Sequence, residues 1–232
     1  MTKHDRRSVL FVDLDGTLTD PFLGIVGCFR LALEAMGRKA PPAAELAWII
    51  GPPLRRSFAQ MLGGTGDAEE ALGFYRACYS KKGLFEAQVY EGAPAALAEL
   101  RAAGVRLFLC TAKPTVYAEP ILRHFDLRRH FEGVYGAELD GRYDDKSELI
   151  AHILASEGLE AGDCCMWGDR GYDVIAASRH AIPTIGALWG YGGADELRNA
   201  GAAALCASPS EVPTAFSALR VGLPSGERAL HD

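Results

Sequence analysis

Short β-rich apolar runs recur along the chain at Ser8–Leu14, Val105–Thr111, Gly133–Ala137, Cys164–Gly168 and Pro183–Leu188, and stretches of helical periodicity separate them. Strands alternating with helices predict an α/β fold, a doubly wound, Rossmann-like parallel sheet, because parallel neighbours need a crossover that packs back on the sheet. About ninety residues separate the first two runs, where a crossover helix needs roughly ten to fifteen. The surplus is itself helical in pattern. Phe22–Met36 has apolar residues at helical spacing and ends at Gly37, and Glu45–Ile50 is a shorter helix. Pro53–Leu62 opens on a proline suited to a first turn and stops at Gly63 and Gly64, and Asp67–Lys82 ends before Gly83. The chain is therefore expected to divide into a core, residues 1–19 and 91–232, and a small helical-bundle cap, residues 20–90, inserted after the first strand. Linkers are expected near Asp20 and at Tyr90–Pro94, and the last ten or so residues read as a frayed tail.

Composition narrows the classes. At 232 residues and 49% hydrophobic, the chain can bury a substantial core without staples. Cys28, Cys78, Cys110, Cys164, Cys165 and Cys206 form no CxxC pair and mostly lie in apolar runs, so buried thiols in a reducing cytosol are expected. Residues Met1–Arg7 lead into the short apolar run Val9–Val12, which Asp13 interrupts; neither a signal peptide nor a membrane span fits, and a soluble cytoplasmic protein is expected. A formal charge of -6 without a basic stripe argues against a nucleic-acid polymer as partner. Arg55-Arg56 and Arg128-Arg129 are too small to alter that. A monomer or homodimer acting on a small molecule remains.

The chemistry concentrates at predicted strand ends. The first strand runs into Asp13 and Asp15, two positions apart, and then Gly16 and Thr17. Strand periodicity puts both carboxylates on one side if the extended geometry persists, and ligands of open α/β sheets collect at strand carboxyl ends. An Asp-Gly turn explains the same residues without chemistry. The second strand ends in Thr111, Ala112, Lys113 and Pro114, which offer a hydroxyl and backbone N–H groups to a phosphate oxygen, or simply a turn. Lys146 stands at a helix start, either as a fixed positive charge or as a solvated one. Asp169 and Asp173 close the strand ending at Gly168, as oxygen donors of the kind Mg²⁺ prefers or as caps of the next helix.

Taken in order, Asp13-x-Asp15-x-Thr17, Thr111, Lys146 and Gly168-Asp169-x-x-x-Asp173 resemble the four motifs of the haloacid dehalogenase-like superfamily, over about residues 8 to 210. The helical insert matches that superfamily's type of cap placed after the first strand. Residues 13–21, 51–55, 134–141 and 188–192 look like the phosphoglycolate phosphatase and 5'-nucleotidase-like branch. Many relatives carry Asn or Ser where this chain has Ala112, which removes one polar contact. The resemblance implies a Mg²⁺-dependent phosphatase that hydrolyses a small phosphate monoester through an aspartyl-phosphate on Asp13. It implies a metal held by Asp13, the Asp15 carbonyl and Asp169, with Asp173 acting through water or by orienting neighbours. Asp15 would be acid and then base, and Thr111, Lys146 and the backbone at Gly16, Thr17, Ala112 and Lys113 would hold the phosphoryl group. A 5'-nucleotidase or a phosphomutase uses the same residues; a non-catalytic phosphate-binding domain would be expected to lose one of the two carboxylates, and a dehalogenase needs no acid at Asp15. Arg55, stiffened by Pro52 and Pro53 at a helix start, is expected either to pair with an anionic leaving group such as the carboxylate of phosphoglycolate, or to be a solvated charge.

Overall fold

The computed structural model describes residues 8–64 and 67–221. The chain starts in β1 (Val9–Val12), turns, and forms a two-residue strand β2 (Thr19–Asp20). Helix α1 (Phe22–Ala35), a 3₁₀ segment Ala43–Ile49, α2 (Leu54–Leu62), α3 (Ala68–Tyr79) and β3 (Gln88–Val89) follow. Then come α4 (Ala93–Ala102), β4 (Arg106–Pro114), α5 (Thr115–His124), β5 (Gly133–Ala137) and α6 (Lys146–Glu157). The described chain closes with β6 (Cys164–Gly168), α7 (Gly171–Ser178), β7 (Thr184–Ala187), α8 (Ala194–Ala200), β8 (Ala204–Cys206) and α9 (Val212–Val221).

Strands β5-β4-β1-β6-β7-β8 form one parallel sheet with β1 between β4 and β6, Val12 standing opposite Leu109 and Trp167. All four residues of β1 are buried, as a parallel strand covered on both faces requires. Alternation sorts them: Leu10 and Val12 join Leu97, Leu122 and Phe216 on one face, while Val9 and Phe11 join Ile150, Ile153 and Phe108 on the other. The α/β reading is borne out, with differences. Ser8–Leu14 contracts to Val9–Val12 because the chain turns just after Asp13, and Val105–Thr111 extends to Pro114 through an irregular register. Strand β8, not anticipated, pairs with β7 at the sheet edge; its residues, Ala204–Cys206, are too few for a period to register.

Residues between β2 and β3 have their own apolar cluster, with Phe29 stacked on Phe58 at 4.1 Å and Tyr75 edge-on to Phe58. Phe58 is fully buried, and truncating such a side chain costs about 3–5 kcal/mol. The segment read as a helix at Glu45–Ile50 is 3₁₀, spanning Ala43–Ile49. In place of loose linkers at Asp20 and Tyr90, β2 and β3 pair antiparallel, Thr19 opposite Val89 and Asp20 opposite Gln88. One expectation is corrected: Cys28 and Cys78 are joined as a disulfide, because α1 and α3 pack side by side and bring their Cα atoms to 5.6 Å, a separation suited to a bridge. Cys110, Cys164, Cys165 and Cys206 are buried and form no disulfide among the described residues. No helix among the described residues is long and apolar enough to cross a membrane. The readings made for Met1–Arg7 and for the terminal tail lie outside the described residues.

Candidate active site

Four chain segments converge at the carboxyl edge of the sheet. Asp13 follows β1 directly, its N–H donating to the Trp167 carbonyl at 2.9 Å, so it continues the ladder by one residue. The chain then folds over itself: Leu18 and Thr19 donate to the Leu14 carbonyl at 2.9 and 3.1 Å, and Gly16 donates to the Thr19 carbonyl at 2.7 Å. Gly16 takes φ +85°, a region that disfavours a side chain, and an added Cβ would lie 2.6 Å from Asp169 Cγ. Asp169 follows β6 in the same way. Asp173 sits in the first turn of α7, where its carboxylate accepts the Arg170 N–H at 3.0 Å. Lys146 opens α6, whose N-terminus Asp145 caps by accepting the Ser147 N–H at 2.8 Å.

Asp13, Asp169 and Asp173 are buried, and each presents a carboxylate oxygen within 4.8 Å of the others. Lys146 Nζ lies 3.0 Å from Asp13 Oδ1 and forms a close ion pair with Asp173. One cation against three buried carboxylates leaves negative charge uncompensated. The cost is legible in the acidities: burial, and then the charges of Asp173 and Asp13, raise Asp169 well above the usual carboxylate range. Burial also raises Asp173, with Lys146 opposing and Asp13 adding to the effect. Burial opposes the charge of Lys146, yet Asp13 and Asp173 outweigh it and raise its pKa. Asp13 Oδ1 has no directed hydrogen bond among the described residues. An all-oxygen, over-negative, buried trio fits a small hard divalent cation and not a soft one. Asp169 is further oriented by Thr17 Oγ1 at 3.1 Å and by the Tyr191 N–H at 2.8 Å.

Asp13 and Asp15 also line a cavity that opens to solvent under the helical insert. Thr111, Ala112 and Lys113 form its floor beside them, and Arg55 stands in its wall with Pro52, Pro53 and Leu54. The structure thus brings Asp13, Asp15, Thr111, Ala112, Lys113 and Arg55 to one cavity, and Lys146, Asp169 and Asp173 behind Asp13. Gly16 and Thr17 face Asp169 instead: the first lets that carboxylate approach, the second donates to it. Lys113 is not a loose phosphate-seeking cation. Its ammonium, nearly inaccessible, lies 3.0 Å from Asp15 Oδ2 and 2.6 Å from the Tyr79 hydroxyl. Burial opposes that charge, and Asp15 and Tyr79 more than restore it. Asp15 Oδ1 is left buried without a hydrogen-bond partner. Arg55 is committed too, 3.5 Å from Asp144 and tightly paired with Glu69.

Sequence reasoning missed Tyr75, Tyr79 and Tyr117, which bring aromatic surface to the cavity from α3 and α5. Tyr75 and Tyr79, four apart, share a helix face, but only the packing of the insert over β4 turns that face to Asp15. It also missed Arg170, which bonds Glu196 at 2.9 Å and reaches the Ile50 carbonyl of the insert, and the Tyr191 amide.

Residues 9–187 match the family of haloacid dehalogenase-like hydrolases. The chain is 46% identical over 192 residues, 82% of its length and 86% of the other's, to a 5'-nucleotidase of Pseudomonas aeruginosa. It is 43% identical over 188 residues to the tyrosine-protein kinase PtkA of Mycobacterium tuberculosis, covering 81% of this chain but only 64% of that protein. A phosphoglycolate phosphatase of Cupriavidus necator is 29% identical over 219 residues, 92% of this chain and 95% of that one. The crystal structure of a predicted phosphatase from Clostridium acetobutylicum superposes with a TM-score of 0.89 at 35% identity, covering 91% of this chain and 99% of that one. Motif order, a parallel sheet with its carboxylates at the strand ends, and these likenesses agree: the chain belongs to the haloacid dehalogenase-like hydrolases and is one of the family's phosphatases.

Proposed function

We propose that the protein is a Mg²⁺-dependent phosphomonoesterase that works through an aspartyl-phosphate on Asp13, and that its leaving group carries a flat ring, as a nucleoside 5'-monophosphate does. Residues 20–90 act as the cap that selects that leaving group. The observation that carries the substrate reading is the cavity lining itself, where Tyr75, Tyr79 and Tyr117 stand beside Ile25, Ile49 and Leu72. Glycolate, two carbons and a carboxylate, would leave most of that surface unburied, whereas a ring can stack on it. The 46% identity to a protein named 5'-nucleotidase supports the same direction. A phosphoglycolate phosphatase remains the second reading, favoured by Arg55 and Arg76 in the cavity wall, although Arg55 already has two carboxylate partners.

In this reading Asp13 attacks phosphorus while Asp15 protonates the departing oxygen; Asp15 then takes a proton from the water that hydrolyses the acyl-phosphate. Lys113 pins Asp15 Oδ2 at 3.0 Å and leaves Oδ1 without a partner, which is the atom left to carry the proton. Lys146, 3.0 Å from Asp13, offsets the charge of the phosphoryl group, and Thr111 and its neighbouring amides receive phosphoryl oxygens. Asp13, Asp169 and Asp173 would hold the Mg²⁺, with Asp15 contributing its carbonyl. When bound, the cation screens the repulsion between the phosphate dianion and the nucleophile. A phosphomutase would use the same groups but must keep water from the phosphoenzyme, and this cavity opens to solvent.

The test is phosphate release with Mg²⁺ across nucleoside 5'-monophosphates, phosphotyrosine, sugar phosphates and phosphoglycolate. Ring-bearing esters should show kcat/KM at least about tenfold above phosphoglycolate. A preference for phosphoglycolate would overturn the substrate reading, and transfer of phosphate between sugars without release would overturn the hydrolytic one.

A further inference from the structure

A second cavity lies on the seam between the helical insert and the core and borders the catalytic cavity at Pro52. Trp48 and the α2 residues Arg56, Ser57 and Gln60 wall it on the insert side, and Arg170 and Tyr172 on the core side. No acidic residue among the described ones lines it, although the chain carries a formal charge of -6. The Arg56 guanidinium carbon is 5.6 Å from the centroid of the Tyr172 ring and that of Arg170 is 5.8 Å from the same centroid. Two positive charges therefore share one aromatic ring. Arg170 spends part of its charge on Glu196, at 2.9 Å. Arg56 has no ion pair among the described residues, its interaction being with the Tyr172 ring. Ser57 supplies an independent sign: the residue is 1% exposed, and its hydroxyl has no hydrogen-bond partner among the described residues. Buried hydroxyls are ordinarily satisfied, so an unsatisfied one in a cavity wall calls for a ligand.

We propose that this seam cavity is a binding site for a phosphate-class anion, distinct from the catalytic cavity, with Arg56 and Arg170 supplying charge and Ser57 a hydrogen bond. Guanidinium pairs suit the tetrahedral oxygens of phosphate, and Trp48 and Tyr172 offer flat apolar surface to any organic group the phosphate carries. The site spans insert and core. Arg170 follows Asp169 directly, donates its N–H to Asp173 and bonds the Ile50 carbonyl, so an anion here ties α2 to the loop that carries those two carboxylates. The ligand acts as an effector that holds the insert against the core. The assignment depends neither on Asp13 as nucleophile nor on the identity of the metal.

The indole N–H of Trp48 reports on the site, because Trp48 lines the seam cavity and not the catalytic one. In ¹⁵N-labelled protein with chelator, the Trp48 resonance, assigned with Trp48→Phe, should shift and saturate as inorganic phosphate is added. Arg56→Gln, an exposed change that leaves the catalytic residues in place, should weaken that response about tenfold or more. Ser57→Ala should weaken it less, and turnover by Arg56→Gln at low phosphate should match the parent. Tighter binding of phenyl phosphate than of inorganic phosphate identifies an organic phosphate as the ligand; equal binding identifies the free ion. A Trp48 signal that ignores phosphate at tens of millimolar, or that titrates identically in Arg56→Gln, would overturn the proposal.

Discussion

Replacing Gly16 by alanine tests how far the turn after β1 and the carboxylate trio depend on each other. Gly16 holds φ +85°, and its added Cβ would sit 2.6 Å from Asp169 Cγ, with Asp169 Oδ2 nearer still, where ordinary contact begins at 3.4 Å. The left-handed backbone costs an L-residue about 1–2 kcal/mol, and overpacking costs about 1–3 kcal/mol more. Asp169 cannot retreat freely, because the Tyr191 N–H and the Thr17 hydroxyl hold it, and an added Cβ on Gly190 would meet it at 2.5 Å on that side. A destabilisation of about 2–5 kcal/mol should lower Tm by roughly 5–15 °C at this chain length. A shift of Asp169 by about 1.2 Å, the amount that restores contact distance for its nearest oxygen, should reduce kcat roughly 100-fold and raise the Mg²⁺ needed for half-maximal rate. Gly158→Ala separates the two causes: Gly158 has φ +61° with nothing within 4 Å of an added Cβ, so it should cost only the backbone contribution and leave the Mg²⁺ requirement alone. The assay is a thermal melt paired with a Mg²⁺ titration of turnover for both variants. Gly16→Ala with normal Mg²⁺ dependence and a melt no lower than that of Gly158→Ala would refute the reasoning.

Asp13→Asn should abolish turnover while its melt stays close to the parent's, since an amide keeps the shape but forms no stable acyl-phosphate; retention of more than a few per cent of activity would remove Asp13 as nucleophile. Asp15→Asn should lose far more rate on alkyl than on aryl phosphates, because a good leaving group needs little protonation, and equal losses would end the acid assignment. Asp169 also makes a pH prediction. Its raised pKa means that the folded, metal-free protein binds a proton more tightly than the unfolded chain, so this contribution to stability is full at low pH and is lost as pH rises through the raised value. In chelator the Tm should therefore fall as pH rises above the ordinary carboxylate range, and Mg²⁺ should abolish that fall; a Tm that climbs through the same window without metal would contradict it. Arg55→Ala, which breaks pairs to Glu69 and Asp144, should change KM for phosphoglycolate and for an aryl phosphate alike by less than about fivefold, and a selective loss on phosphoglycolate would restore Arg55 as reader of a carboxylate.

Much of the site was legible because it depends on local pattern. Asp13, Thr111 and Asp169 each follow or close an apolar run, and a parallel sheet must bring such ends together on one edge. Lys146 was recognisable as a helix start through Asp145, but not the fact that α6 aims its ammonium between Asp13 and Asp173, which depends on how α6 packs on β4 and β5. Lys113 shows the limit more sharply. Its position in the motif is visible, whereas its partner Tyr79 lies 34 residues away on the insert. The Cys28–Cys78 bridge escaped for the same reason: the spacing of 50 residues has no meaning until α1 and α3 are side by side. Strand β8 and the β2–β3 ribbon are too short for any periodicity to show.

The ribbon has an engineering consequence. Both crossings between core and insert pair with each other, Thr19 opposite Val89 and Asp20 opposite Gln88, so the two crossings form a single paired strip and not two separated points. A module attached in this way can be exchanged at one place. Splicing the segment between Asp20 and Gln88 from a relative with another leaving-group preference interrupts neither β1 nor β4, and it keeps every carboxylate of the trio on the retained part. With the insert selecting the leaving group as proposed, the strip separates what the enzyme does to a phosphate from which phosphate it accepts, and it lets selection, or a laboratory, vary the second while holding the first.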